Sequence, residues 1–175
     1  MTRHPAQAGP PPRAPRRQRR QGLGLMEALV AVLLLSACAL AYAALQMRGL
    51  AAGHSAMWRS KATLLAYEMA DRMRANRAAV ASGQYNNLTA PQAAGACGSA
   101  SACTPAAMAR LDYAQWSATL GRELPGGSGV VCLDASPDDG SAAGPGCSGS
   151  GSMLAVKVFW SERGQVARLA VAVRP

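Results

Sequence analysis

From Leu23 to Leu45 the chain reads LGLMEALVAVLLLSACALAYAAL, and only Glu27 and Ser36 in these 23 residues are clearly polar. As a helix the stretch would extend about 35 Å at 1.5 Å per residue, enough to cross a hydrocarbon core of about 30 Å. The expectation is a membrane segment, with everything after it on the far side. Glu27 is the awkward residue. An ionised Asp or Lys at the centre of a membrane helix costs about 2.5–3.5 kcal/mol on insertion scales, and a glutamate is comparable. A carboxylate near the start of such a run needs a partner or a purpose.

Charge locates the cytoplasmic side. The formal charge of +9 suggests nucleic acid at first sight. However, Arg3, Arg13, Arg16, Arg17, Arg19 and Arg20 all precede the apolar run and every acid lies after Gly22, which leaves 12 basic and 9 acidic groups after Gly22, a net of +3. Cationic density confined to a short Pro-rich leader suits the cytoplasmic flank of a membrane segment. No aromatic residue is interleaved with the arginines, so a nucleic-acid arm is the weaker alternative and no nucleic-acid partner is expected. Cysteine usage agrees with export. Cys97, Cys103, Cys132 and Cys147 lie beyond the run, an even number suited to two disulfides in an oxidising periplasm, and Cys38 is the odd one inside it.

The chain divides into a leader at 1–22, a transmembrane half-helix at 23–50, and a periplasmic head at 51–175 that includes the distal half of the same helix. Residues 23 to about 78 lack proline and read as one helix of about 80 Å. Within it, Trp58, Ala62, Leu65, Met69 and Met73 recur at helical spacing and predict a face packed on a globular head. Gly49 and Gly53 weaken the helix near the membrane exit. Residues 79–103, small and polar, read as loop. TPAAMARLDYAQWSATLGREL predicts a second helix capped by Thr104, opened by Pro105, with Gly121 near its end, buried along Tyr113, Trp116, Leu120 and Leu124, and broken by GGSG at 126–129. GVVCLD (129–134), SMLAVKVFW (152–160) and QVARLAVAV (165–173) read as strands, the last two joined by a hairpin at SERG. A long helix on a small antiparallel sheet is an α+β fold.

No catalytic constellation survives inspection. His4 lies in the leader, and His54 has no cysteine or carboxylate near it in sequence. Zinc-ligand spacing and phosphate-cradling loops are missing from the sequence. Asp138 and Asp139 sit in SPDDGSAAGPG, a turn by composition, with calcium binding as the weaker alternative. No enzyme, cofactor or metal is expected. Two processing patterns compete at the N-terminus with the one described next. LSAC (35–38) matches a bacterial lipobox, which would anchor a periplasmic lipoprotein through Cys38. Ala39-Leu40-Ala41 and Ala41-Tyr42-Ala43 would permit an ordinary secretory cut. Against these readings, apolar character continues beyond Cys38, and Glu27 burdens the apolar region for no gain.

Gly22-Leu23-Gly24-Leu25-Met26-Glu27 resembles the type IV prepilin signal: a basic leader ending in glycine, an apolar first mature residue, and glutamate at the fifth mature position. Leu23 stands where that family usually has Phe. RSKATLLAYEMADRMRANRAAV (59–80), TPAAMARLDYAQW (104–116), PGGSGVVC (125–132) and VKVFWSER (156–163) resemble PilV-type minor pilins, also called type IV pilus modification proteins. The resemblance implies cleavage after Gly22 by prepilin peptidase, N-methylation of Leu23, and a lollipop-shaped subunit. Its function would be to prime or cap pilus assembly from the inner membrane, with other minor pilins and the major pilin as partners. A type II secretion pseudopilin is the related alternative. Glu27 acquires a purpose on this reading. The new amine of Leu23 lies four residues away, and in a filament the carboxylate would meet the amine of an adjacent subunit, offsetting part of the cost of desolvation.

Four cysteines allow three connectivities. The expected choice is Cys97–Cys103, flanking the short GSASA, and Cys132–Cys147, which closes a loop of about 15 residues worth roughly 3 kcal/mol in the chain-entropy model. Cys38 should remain a free thiol packed as a small hydrophobe.

Overall fold

The computed structural model describes residues 23–93, 97 and 103–174. The basic leader with Gly22, and the GSASA segment between Cys97 and Cys103, lie outside the described residues. Six elements follow in order: α1 (Leu23–Ala75), α2 (Arg77–Ala81), α3 (Pro105–Glu123), β1 (Ser128–Leu133), β2 (Leu154–Glu162) and β3 (Gln165–Val173). The chain separates into two units, Met1–Arg48 and Gly49–Pro175. In the first, the described residues form the apolar part of α1. In the second, the rest of α1, α2 and α3 accompany a three-stranded antiparallel sheet of order β1-β2-β3. This is the α+β architecture expected from the sequence.

In the second unit α1 buries Ala62, Leu65, Ala66, Met69, Ala70 and Met73, while Trp58 is only half-buried. Ala66 and Ala70 complete the stripe read from the sequence, since small residues on the inner face admit close packing. The helix stops at Ala75, earlier than expected, because Asn76 leaves helical geometry. Its side-chain amide donates to the Pro105 carbonyl (2.9 Å) and to the Tyr85 hydroxyl (3.3 Å). Asparagine competes with the helix in this way wherever its short side chain finds local acceptors.

The stretch after residue 79 is more ordered than its composition suggested. Residues 77–81 form α2, and Tyr85 and Leu88 are buried. Leu88 exchanges two backbone hydrogen bonds with Val131 (2.9 and 3.1 Å), which covers the outer side of β1 at that point. For α3, the Thr104 hydroxyl accepts from Ala107 N–H (3.2 Å) as an N-cap, and Pro105 opens the helix. Gly121 lies near its end, as expected. The helix runs to Glu123 and is broken by Pro125-Gly126, where Gly126 takes a φ of +60°.

The sheet buries both faces of its central strand, with Leu154 to Trp160 all buried. Val156, Val158 and Trp160 of β2 join Val131 of β1 and the helices in the main core. On the opposite face Phe159, Val130 and Cys132 form a smaller cluster with Cys147. β2 and β3 pair from Leu154↔Val173 to Glu162↔Gln165. The connecting turn places Arg163 (φ +52°) and Gly164 (φ +75°) in the left-handed region, as a two-residue hairpin with right-handed strand twist requires.

Candidate functional site

The apolar part of α1 carries the first candidate site. Among the described residues none of Leu25, Leu29, Leu33, Leu40 and Leu45 is covered; all are more than half exposed. α1 contains a stretch long and apolar enough to cross a membrane. Its neutral polar groups are satisfied within the helix. The Ser36 hydroxyl donates to the Val32 carbonyl (2.7 Å), and Gln46 donates to the Tyr42 hydroxyl (2.7 Å). Glu27 differs: it is exposed, one helical turn after Leu23, and no described residue forms an ion pair with it. Cys38 is a free, exposed thiol and is not packed among described residues as the sequence suggested.

In the second unit the structure joins Cys97 to Cys103 and Cys132 to Cys147, with Cα–Cα distances of 5.0 and 6.0 Å. The second bridge closes the loop from Asp134 to Gly146 back onto the sheet. Beneath that loop lies an ionic cluster that sequence reasoning missed. Lys157, in the middle of β2 and wholly buried, contacts Asp134 Oδ2 (2.5 Å) and Asp139 Oδ1 (2.9 Å). Asp138 pairs with Arg168 at 3.5 Å. The two aspartates considered for calcium are thus engaged by protein cations. A single lysine inside an apolar strand, with two aspartates in the turn before it, was the available signal.

A second polar group ties α1 to α3. Arg72 pairs with Glu68 (2.8 Å) and Asp112 (3.3 Å), and the Tyr85 hydroxyl donates to Asp112 Oδ2 (2.7 Å). Burial, with a further contribution from the Asp112 carboxylate, pushes the Tyr85 phenol well above its ordinary range. Every member of this group has a partner, and its chemistry is structural. Among the described residues no group of three or more His, Cys, Asp or Glu side chains could hold a metal.

The Lys157 cluster makes the head sensitive to pH. Burial works against ionised Asp134, but the hydrogen bonds from Lys157 and from the backbone at Ser136 and Ser148 prevail and bring its pKa down to about 2. An acid with a lowered pKa stabilises the fold above its unfolded value and loses that contribution as pH falls towards the folded value. Lys157 is also opposed by burial, yet its two aspartates raise it above 10.5. Its contribution is complete below that value and is lost only at stronger alkalinity. The melting temperature of the detergent-solubilised protein should therefore be flat across the neutral range and fall below pH of about 4. Asp134→Asn should be less stable at neutral pH and lose much of this acid dependence. An unchanged acid slope in that variant would assign the effect elsewhere.

A family model described as Type IV pilin Tt1218 matches residues 44–114, less than half of the chain. No curated protein matches, and no solved structure matches. The matched stretch begins at the end of the apolar run and extends through the distal part of α1, α2 and the first half of α3. It supports a type IV pilin, and that family is structural and non-enzymatic.

Proposed function

We propose that this chain is a minor type IV pilin of the PilV type, which primes or caps a pilus from the inner membrane. The observation that carries the reading is the coincidence of two separate features. The family match covers residues 44–114, whereas the glycine, the carboxylate five residues on and the basic leader lie wholly outside it. A family likeness over residues 44–114 and a processing signal outside it thus point to one filament subunit.

On this reading residues 1–22 are the leader, 23–50 the membrane half of the helix and 51–175 the periplasmic head. Prepilin peptidase cuts after Gly22, and the amine of Leu23 is methylated. Before assembly the exposed leucines of α1 face lipid. In the filament they face the helices of other minor pilins and the major pilin. Glu27 is the one acidic residue in the apolar run from Leu23 to Leu45, and an amine from a neighbouring subunit is its partner. A charge pair in hydrocarbon is less costly than a lone charge, so the pair selects one axial offset between neighbours. The disulfides suit an oxidising periplasm.

The N-terminal peptide of the mature protein tests this directly. Mass spectrometry should find N-methylated Leu23 as the first residue, and replacing Gly22 with a bulky residue should leave a precursor heavier by the leader. An acylated Cys38 would instead establish a lipoprotein, and an N-terminus at Tyr42 or Ala44 a secreted protein. Normal maturation of the Gly22 variant would also overturn the prepilin reading. Deletion should reduce pili and leave type II secretion intact; the reverse outcome would identify a pseudopilin.

A further inference from the structure

The Lys157 ammonium sits in a cage made only of oxygens. Besides Asp134 Oδ2 (2.5 Å) and Asp139 Oδ1 (2.9 Å), it faces the backbone carbonyls of Asp139 (3.2 Å), Pro145 (2.8 Å) and Gly146 (3.3 Å). An ammonium has three protons to give, fewer than the oxygens turned towards it. Asp134, wholly buried, meets the charge through Oδ2, while its Oδ1 accepts from the backbone N–H groups of Ser136 (3.1 Å) and Ser148 (3.4 Å). The cage is also over-supplied with charge, since two carboxylates surround one cation. A surplus of hard oxygens, two of them anionic, is the donor set of a hard divalent ion.

The size of the cage selects among such ions. Calcium takes oxygens at about 2.3–2.6 Å with tolerant geometry, whereas magnesium demands about 2.0–2.1 Å in a strict octahedron. The donors from Asp139 to Gly146 all belong to one loop. The Cys132–Cys147 bridge anchors that loop at its ends, so the donors stay near one another when the ammonium is removed. Arg168 holds the rim, donating to the Asp138 and Gly140 carbonyls, and takes none of the cage oxygens.

We propose that Lys157 is a built-in cation occupying a latent calcium-type site, so that the disulfide-closed loop is locked without metal. Lys157→Ala should free the oxygens and convert the loop to a calcium-binding one. With two carboxylates in the cage, the affinity belongs with weak extracellular sites, about 10⁻⁴–10⁻³ M.

The test is thermal melting of the full-length protein in detergent, in EDTA and in about 10 mM calcium, roughly tenfold above the weak end of that range. The native protein should melt alike in both. Lys157→Ala should melt lower in EDTA and recover several degrees in calcium. Lys157→Met, which fills the cage with an apolar chain, should melt low in both, and Lys157→Ala combined with Asp139→Asn should lose the calcium response. If Lys157→Ala gains nothing from calcium, including by failing to fold with or without it, the proposal is wrong. A native protein destabilised by EDTA, or a Lys157→Met variant that responds as Lys157→Ala does, would equally overturn it.

Discussion

Glu27→Ala should leave the chain inserted in the membrane and cleaved after Gly22, and should nevertheless bring piliation close to the level of a deletion strain. Insertion becomes easier, because an ionisable group leaves an apolar stretch whose other polar side chains satisfy themselves within the helix. Assembly becomes harder for the opposite reason. Removing one member of a buried charge pair costs about 3–5 kcal/mol, because the amine of Leu23 in the neighbouring subunit is left charged and unpaired in hydrocarbon. At 1.4 kcal/mol per factor of ten, the lower figure is already about a hundredfold in an assembly equilibrium. Glu27→Gln should be nearly as defective as alanine, since it keeps the shape and loses the charge, whereas Glu27→Asp should be intermediate. Pili counted by electron microscopy, with membrane fractionation to confirm equal subunit levels, decide the matter. Normal piliation in the alanine or glutamine strain would remove Glu27 from assembly.

The elements legible in the sequence were those whose signal is local. The apolar run, the helical stripe from Ala62 to Met73, the Thr104-Pro105 helix start and the alternation of QVARLAVAV each declare themselves within a dozen residues. What escaped depends on distant partners. Asn76 ends α1 because it meets Pro105 and Tyr85, residues that its own neighbourhood does not announce. Tyr85 and Leu88 lie in a stretch of loop-like composition and are buried only because α3 and β1 come to them. Lys157 is the clearest case. In VKVFW its neighbours argue for a strand with one solvated face, yet that face is roofed by a loop whose aspartates begin over twenty residues earlier. The GLGLME pattern is the converse: it is plain in the sequence, and the role proposed for it concerns an encounter between subunits that a single chain does not contain.

The head should be most sensitive at Trp116. This indole is wholly buried, its Nε1 donates to the Leu65 carbonyl of α1 (2.8 Å), and Gly129 of β1 passes directly beneath it. Tyr113, tilted against it at 5.9 Å, donates its hydroxyl to the Gly129 carbonyl (2.8 Å). One side chain thus joins α1, α3 and β1. Trp116→Ala should destabilise the protein by about 3–5 kcal/mol, the range for emptying an aromatic site in a core. Gly129 is fixed by the same contact and not by backbone strain, since a Cβ there would collide with the indole and with Leu120. Gly129→Ala should therefore cost about 1–3 kcal/mol by overpacking. The two effects have one cause, so they should not add. In Trp116→Ala the space above Gly129 is open, and the added methyl fills part of the cavity. The double variant should be less destabilised than the sum of the singles by about 0.5–3 kcal/mol, the coupling expected of residues in contact. Denaturant unfolding of the four proteins in detergent measures this, and strict additivity would show that space above Gly129 is not what excludes a side chain there.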